Sequence, residues 1–396
     1  MQLSKNISET ATSLKPYGVS VFTKITDLSN RHGAVNLSQG FPDFDGPLAI
    51  REAAASAIIN GPNQYAPAIG MQALRQSVAE KMQRFYNISV CQNTEVTVTA
   101  GATEGLASVL LGLVNPGDEV ILLDPSYDLY PAIISRAGGI PVHLRIEPPN
   151  FDLPQEALTR AFSLRTRAII VNNPQNPCGK VYSKNELSFI ADLCCKFDAV
   201  AIADEVYEHL VYDNASHRTL LSIEGLRDRA AVVSSTAKTF SMTGWKVGFV
   251  IASPAITEAV RAAHQFLTFC TPPAFQLAMA SAISSDNSYY ENLKAAYTDR
   301  RNKLSSALDE LGFRVISPKG TYFLNVLIDK EEFGDDLSFC EHLITEVGVA
   351  AVPVSFFYEG RTFGTDMVRF CFCKKDETLN LAIDRLRAWR SKPPRP

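Results

Sequence analysis

Several features are missing from this 396-residue chain, and each absence excludes a class of function. No apolar run approaches the ~20 residues that span a bilayer, so no membrane partner is expected. The opening MQLSKNISETATSLKPYG is polar and lacks the apolar core of a signal peptide, which points to a cytoplasmic protein. Charge of one sign is not in excess. Lys and Arg number 38 against 42 Asp and Glu, and no basic stripe suggests nucleic acid as a partner. The eight cysteines form no C-x-x-C pair, so they read as small buried hydrophobes in a reducing compartment rather than as metal ligands. There is no repeat, low-complexity tract or charged tail.

What is present is enough to bury a large core: 46% of the residues are hydrophobic, in a length that suggests two to three domains or subdomains. In MQALRQSVAEKMQRFY, Met71, Leu74, Val78, Met82 and Phe85 recur at three- and four-residue steps and predict an amphipathic helix. Short apolar runs follow (EVTVTA, EVILL, RAIIV, AVAIA, AAVV, VGFVIA), with helical stretches such as TEGLASVLLGLV and KNELSFIADLCCKF between several of them. That alternation predicts an α/β fold with a parallel sheet covered on both faces. After about residue 280 a long helical pattern precedes FRVIS, TYFLNVLI and MVRFCFC, which reads as a smaller α+β domain.

In an open parallel sheet, ligands gather beyond the carboxyl ends of the strands. After EVTVTA comes GATEG, where Gly101 and Ala102 would let an anion approach the start of a helix. After EVILL comes Tyr127, able to stack on an aromatic ring, although an ordinary buried tyrosine fits equally well. RAIIV leads into NNPQNPCG, whose Asn-Pro pairs force extended backbone and hold Asn176 as a donor. AVAIA ends in Asp204, with Tyr207 close behind; a carboxylate there needs a positive partner, and a protonated heteroaromatic nitrogen would serve. In SSTAKTFSMTGWKVGF, Lys238 sits among hydroxyls where a desolvated amine is nucleophilic enough to form an imine, and Lys246 can hold a phosphate as a point charge. Each stretch alone has a plain structural explanation. Together they supply what pyridoxal 5′-phosphate requires.

The set NLSQGFPDF, NQYAP, TAGATEGL, DPSYDLY, NPQNPCGKV, ADEVYEHL, SSTAKTFSMTGWKVGF and VRFCF, in that order, resembles the class I pyridoxal-phosphate aminotransferases of fold type I over essentially the whole chain. Within that family the sequence is similar to the branch of methionine aminotransferases, kynurenine aminotransferases and glutamine transaminase K, most closely the bacterial methionine-preferring members. The resemblance implies a large cofactor-binding domain (46–284) with a mainly parallel seven-stranded sheet between helices. It also implies a small α+β domain (285–396), joined by an N-terminal arm (1–45). Lys238 is implied to carry the cofactor as an imine and to shuttle the proton, Asp204 to pair with the ring nitrogen, and Tyr207 and Asn176 to bond the phenolic oxygen. Tyr127 is implied to stack on the ring, while Ala102, Thr103, Ser235 and Lys246 take the phosphate. Tyr65 is implied to reach the phosphate of a neighbouring subunit, making a homodimer with shared sites. Arg369, with Asn176 and Gly40, is implied to grip the substrate α-carboxylate.

Lysine at 246, where many relatives carry arginine, marks the kynurenine/glutamine/methionine branch. No counterpart is evident for the second arginine by which aspartate-specific enzymes bind a distal carboxylate. Phe22, Phe269 and Tyr322 fall where the branch lines its side-chain pocket, and Cys270 replaces a histidine of some relatives. The implied reaction is a ping-pong transfer from an apolar, sulfur-containing or aromatic amino acid, methionine foremost, with phenylalanine, histidine, glutamine and kynurenine also candidates, to a 2-oxo acid. Cysteine-conjugate β-elimination uses the same residues and stands as the alternative. A remote one is an S-x-x-K serine hydrolase, from Ser235–Lys238 with Ser285-Asp286-Asn287; it lacks K-T-G, and its nucleophile is expected to end a strand rather than open a helix.

Overall fold

The apolar runs become strands wherever turn residues bracket them. A computed structural model describes residues 10–18 and 20–391; the first nine residues of the expected arm and opening segment, Val19, and the last five of the expected small domain lie outside the described residues. Strands β1 (Val96–Thr99), β2 (Glu119–Asp124), β3 (Ile140–Arg145), β4 (Thr166–Asn172), β5 (Val200–Asp204), β6 (Ala230–Ser235) and β7 (Gly248–Ala252) form one sheet in the order β1-β7-β6-β5-β4-β2-β3. Pairing is parallel from β6 to β3, whereas β7 runs antiparallel to both β6 and β1. Five of the seven are buried at every position, as strands covered on both faces should be; β4 departs at one residue, and only the edge strand β3 is largely half-exposed.

Helices α1 (Gln72–Tyr86), α2 (Gly101–Leu113) and α3 (Lys184–Phe197) cover this sheet. Leu74, Val78 and Met82 of α1 are at most 1% exposed, so the three- and four-residue spacing does define its buried stripe. A capping box between Ser183 and Glu186 starts α3. The cysteine expectation needs correction. Cys178, Cys194, Cys340, Cys371 and Cys373 are buried, but Cys91 and Cys195 are exposed and Cys270 is half-buried. One residue along a helix rotates a side chain by about 100°, so Cys195 points to solvent where Cys194 points to the core.

The C-terminal part is built on an antiparallel sheet of β8 (Arg314–Ile316), β9 (Phe323–Leu327), β10 (Val352–Pro353) and β11 (Met367–Cys371), in the order β10-β11-β9-β8. Val35 and Asn36 pair in parallel with Val349 and Ala350, and Val21, Ile25 and Leu37 join the core under this second sheet. The N-terminal segment therefore packs with the C-terminal body. Among the described residues no helix is long and apolar enough to cross a membrane.

One contact fixes the geometry needed below. A Cβ placed on Gly248, the first residue of β7, would lie 2.6 Å from the Gly101 carbonyl carbon and 2.8 Å from the Ala102 nitrogen. Only glycine allows the strand to approach the start of α2 so closely. Gly248→Ala should therefore cost about 1–3 kcal/mol from overpacking and push the first turn of α2 away from β7. Denaturant unfolding of the variant against the parent chain checks this.

Candidate active site

The carboxyl ends of the strands open into a cavity of about 490 Å³, lined by Gly40, Ala102, Thr103, Tyr127, Asn176, Asp204, Tyr207, Lys238 and Arg369 together with Phe22 and Phe323. Residues far apart in sequence thus meet at one place. Lys238 lies on a single helical turn (Thr236–Thr239) whose N-cap is Ser235. Its Nζ is 3.5 Å from the Gly40 carbonyl and sits 5.7 Å and 5.8 Å from the ring centres of Tyr207 and Tyr322. Burial lowers the pKa of this amine, against the opposing pull of Cys373 and Asp204.

Asp204 closes β5 at 6% exposure. Tyr130 donates its hydroxyl to Oδ2 at 2.6 Å. Burial raises the carboxyl pKa, and the Tyr130 hydrogen bond acts the other way. Arg369, on β11, is 1% exposed. It donates from Nη1 to Asn176 Oδ1 at 2.7 Å and from Nη2 to the Ser38 carbonyl at 3.0 Å. Both partners are uncharged, and Nε has no partner at all. The guanidinium lies 4.0 Å from the centre of the Phe323 ring and 5.4 Å from that of Phe22.

At the other end, Gly101 has φ +74° and begins α2, leaving the first-turn N–H groups of Ala102 and Thr103 directed at the cavity mouth. Lys246 donates from Nζ to Thr103 Oγ1 at 3.4 Å. This lysine is exposed, so the burial cost suggested by its apolar flanks applies to Lys238 and not to it.

Five expected residues lie outside the lining of this cavity: Lys246, which reaches it only through Thr103, and Ser235, Tyr322, Tyr65 and Phe269. The Ser235 hydroxyl donates to the Val247 carbonyl at 3.2 Å and accepts from the Ala237 N–H at 3.1 Å. Ser235 ends β6 and also caps the following turn, contrary to the expectation that it opens no helix; its hydroxyl does not bond to Lys238, as an S-x-x-K pair would require. Tyr322 is wholly buried behind Tyr207 and donates its hydroxyl to the Gly40 carbonyl. Tyr65 and Phe269 meet edge to face at 5.5 Å on the surface, 85% and 45% exposed.

Behind the site is a buried network that residue-by-residue reading of ADEVYEHL missed. Glu208 accepts from Lys81 Nζ at 2.6 Å on each oxygen, from Ser234 Oγ at 2.8 Å and from the Tyr86 hydroxyl. Glu205 accepts from the Leu220 N–H at 2.8 Å and faces His217 Nε2 at 3.2 Å. These carboxylates anchor the backbone on both sides of Tyr207, directly after Asp204. Tyr130 was missed as well, although it lies one helical turn beyond Tyr127 in DPSYDLY.

The donor set fits pyridoxal 5′-phosphate. A buried carboxylate whose hydrogen-bond partners, the Tyr130 hydroxyl and the Val206 N–H, are neutral suits a protonated ring nitrogen, an amine faces the same space, and a helix start with a cation beside it suits a phosphate. The family described as aminotransferase class I and II matches residues 32–386. The chain is 41% identical to a probable N-succinyldiaminopimelate aminotransferase of Mycobacterium tuberculosis over 97% of its own length and 99% of that protein. A structure of that Mycobacterium enzyme superposes with a TM-score of 0.93 at 42% identity, covering 96% of this chain and all of the other. Identity to the methionine aminotransferase of Escherichia coli is 40%, covering 94% and 97% of the two chains.

Burial would raise the Glu208 pKa, yet Lys81, with His209 and His217, holds it well below the usual carboxylate range. Its contribution to stability is present at neutral pH and is lost only as pH falls through that depressed value. Lys81→Met should cost about 3–5 kcal/mol at pH 7 by leaving a buried carboxylate unpaired. In the variant the native carboxyl pKa lies above the unfolded one, so protonation favours the folded state and the deficit should narrow toward pH 5. Unfolding curves across that range check the sign.

Proposed function

The chain belongs to the class I and II aminotransferases, enzymes that use pyridoxal 5′-phosphate to move an amino group from an amino acid to a 2-oxo acid, and from that membership we propose that its donors are apolar, sulfur-containing or aromatic amino acids, methionine foremost. The observation that carries this reading is the charge of the cavity wall. Its lining cations are Lys238 and Arg369; beyond them the wall offers Phe22, Tyr127, Leu129 and the carboxylate of Asp128. A donor with a distal carboxylate would meet Asp128 and no second arginine, whereas a thioether or ring meets apolar surface.

Arg369 binds the α-carboxylate with the N–H groups left over from Asn176 and Ser38. Asp204, kept in place by Tyr130, pairs with the protonated ring nitrogen, Tyr207 and Asn176 offer donors at the phenolic oxygen, and Tyr127 packs against the ring. Ala102, Thr103 and Lys246 hold the phosphate, and Ser235 would join them by turning its hydroxyl from Val247. When bound, the cofactor supplies an aldehyde that takes up the substrate nitrogen and a ring that accepts electrons from the Cα–H bond. Lys238, whose charged form burial disfavours, would act as the base at the substrate Cα proton and carry it to the cofactor side of the nitrogen. Repeating the sequence backwards with a second 2-oxo acid gives ping-pong kinetics. The exposed Tyr65–Phe269 pair supports an assembly in which a second copy covers that surface and shares its sites. Free thiols at all eight cysteines suit a cytoplasmic setting.

A second reading has its own observation. A further cavity of about 730 Å³ shares Ser20, Phe22, Tyr127, Asp128 and Leu129 with the first and reaches Arg361 and His143. It would take a longer donor with a distal carboxylate, and the Mycobacterium relative is named for such a substrate.

An activity matrix decides between them. L-Methionine, L-phenylalanine, L-histidine, L-glutamine, L-kynurenine and N-succinyl-diaminopimelate are tested as donors against several 2-oxo acids, with pyruvate release from a cysteine conjugate measured alongside. Highest kcat/KM for methionine or an aromatic donor supports the first reading; highest for the succinylated donor replaces it with the second. Lys238→Ala should retain cofactor and lose turnover; transamination at the parent rate would remove Lys238 from its role. Arg369→Ala should raise KM for every donor at least about thirtyfold, from the 2 kcal/mol or more that truncating one partner of a buried charge pair costs.

A further inference from the structure

Residues Ser38–Phe41 cross the cavity wall as a strap, and their four consecutive carbonyls each accept from a buried side chain. Arg369 donates to Ser38. Cys371 and Lys374 donate to Gln39 at 3.1 Å and 3.3 Å. Tyr322 and Lys238 donate to Gly40. Lys374 also donates to Phe41 at 2.7 Å, with its Nζ 4.8 Å from the centre of the Phe41 ring. Lys374 is 2% exposed, so this ammonium is buried and its two hydrogen-bond acceptors straddle the Gly40 peptide.

We propose that Lys374 is a positioning residue: by clamping Gln39 and Phe41 it fixes the Gly40 peptide beside Lys238 Nζ and so sets the affinity for the backbone end of the amino acid. Arg369 reaches only the first of the four strap carbonyls. Its strap contact is with Ser38 alone, at one end, whereas Lys374, outside the cavity lining, holds the carbonyls on both sides of Gly40. The side chain acts through two carbonyls and touches neither the reacting carbon nor the side-chain pocket, so its effect is common to all donors. Burying an ammonium on carbonyl partners is costly, and here it secures a short backbone segment whose position the chemistry needs.

The inference rests on Arg369 binding the α-carboxylate. In the full chain loaded with cofactor, Lys374→Met keeps the stem over Phe41 and removes the donors. It should raise KM for L-methionine and L-phenylalanine by the same factor, about tenfold, because the strap loosens while Arg369 still binds the carboxylate. kcat and cofactor content should stay near the parent values. Lys374→Gln, which can still donate to one carbonyl, should fall between the two and serves if the Met variant fails to fold. Unchanged KM in the folded variant, a loss confined to kcat, or different factors for the two donors would overturn the proposal. If Arg369→Ala also leaves KM unchanged, the carboxylate assignment fails; if Arg369→Ala raises KM and the Lys374 variants do not, the positioning role alone fails.

Discussion

Three charged side chains face one cavity against neutral partners: Lys238 on the Gly40 carbonyl, Asp204 on the Tyr130 hydroxyl, and Arg369 on the Asn176 amide and the Ser38 carbonyl. Water would solvate each of them far better. A fold that keeps them there has to be stable enough to carry the cost, and the strands that carry or precede them are accordingly buried along their length. The amine, the carboxylate and the guanidinium each lack a full counter-charge, and that shortfall is what a cofactor and an amino acid can fill.

The supporting shell is organised differently from the site it supports. Glu208 and Glu205, next to the reacting residues in sequence, have dense partners: Lys81, Ser234 and Tyr86 for one, Leu220 and His217 for the other. Saturated carboxylates hold the backbone still, while the undersaturated Asp204 just before them faces the cavity. The alternation in Asp204-Glu205-Val206-Tyr207-Glu208 thus separates two tasks within five residues.

Much of this was legible in the sequence because strand ends in an open α/β sheet are places where apolar patterning stops and chemistry begins. AVAIAD, RAIIVNNP and AAVVSSTAK announce the strand and the functional residue together. β3 was harder to see, because Pro141, His143 and Arg145 interrupt the apolar pattern of a half-exposed edge strand. Tyr130 and Lys81 were invisible for another reason. Each lies on a helix with an unremarkable pattern and gains its meaning only from a partner more than seventy residues away. Ser235 was read correctly as the end of a strand, but its hydroxyl satisfies local backbone, a competition that short hydroxyl side chains routinely enter.

The pairing of Val35 and Asn36 with Val349 and Ala350 ties the strap just beyond it to the same body that carries Arg369. Lys238 and Asp204 belong to the other body, on the seven-stranded sheet. With the roles proposed above, an amino acid would be held at its carboxylate by Arg369 of one body and at its nitrogen beside Lys238 of the other. The distance across that bridge is fixed by how the two bodies pack, so the substrate length that fits is written into the contact between the two bodies rather than into either one.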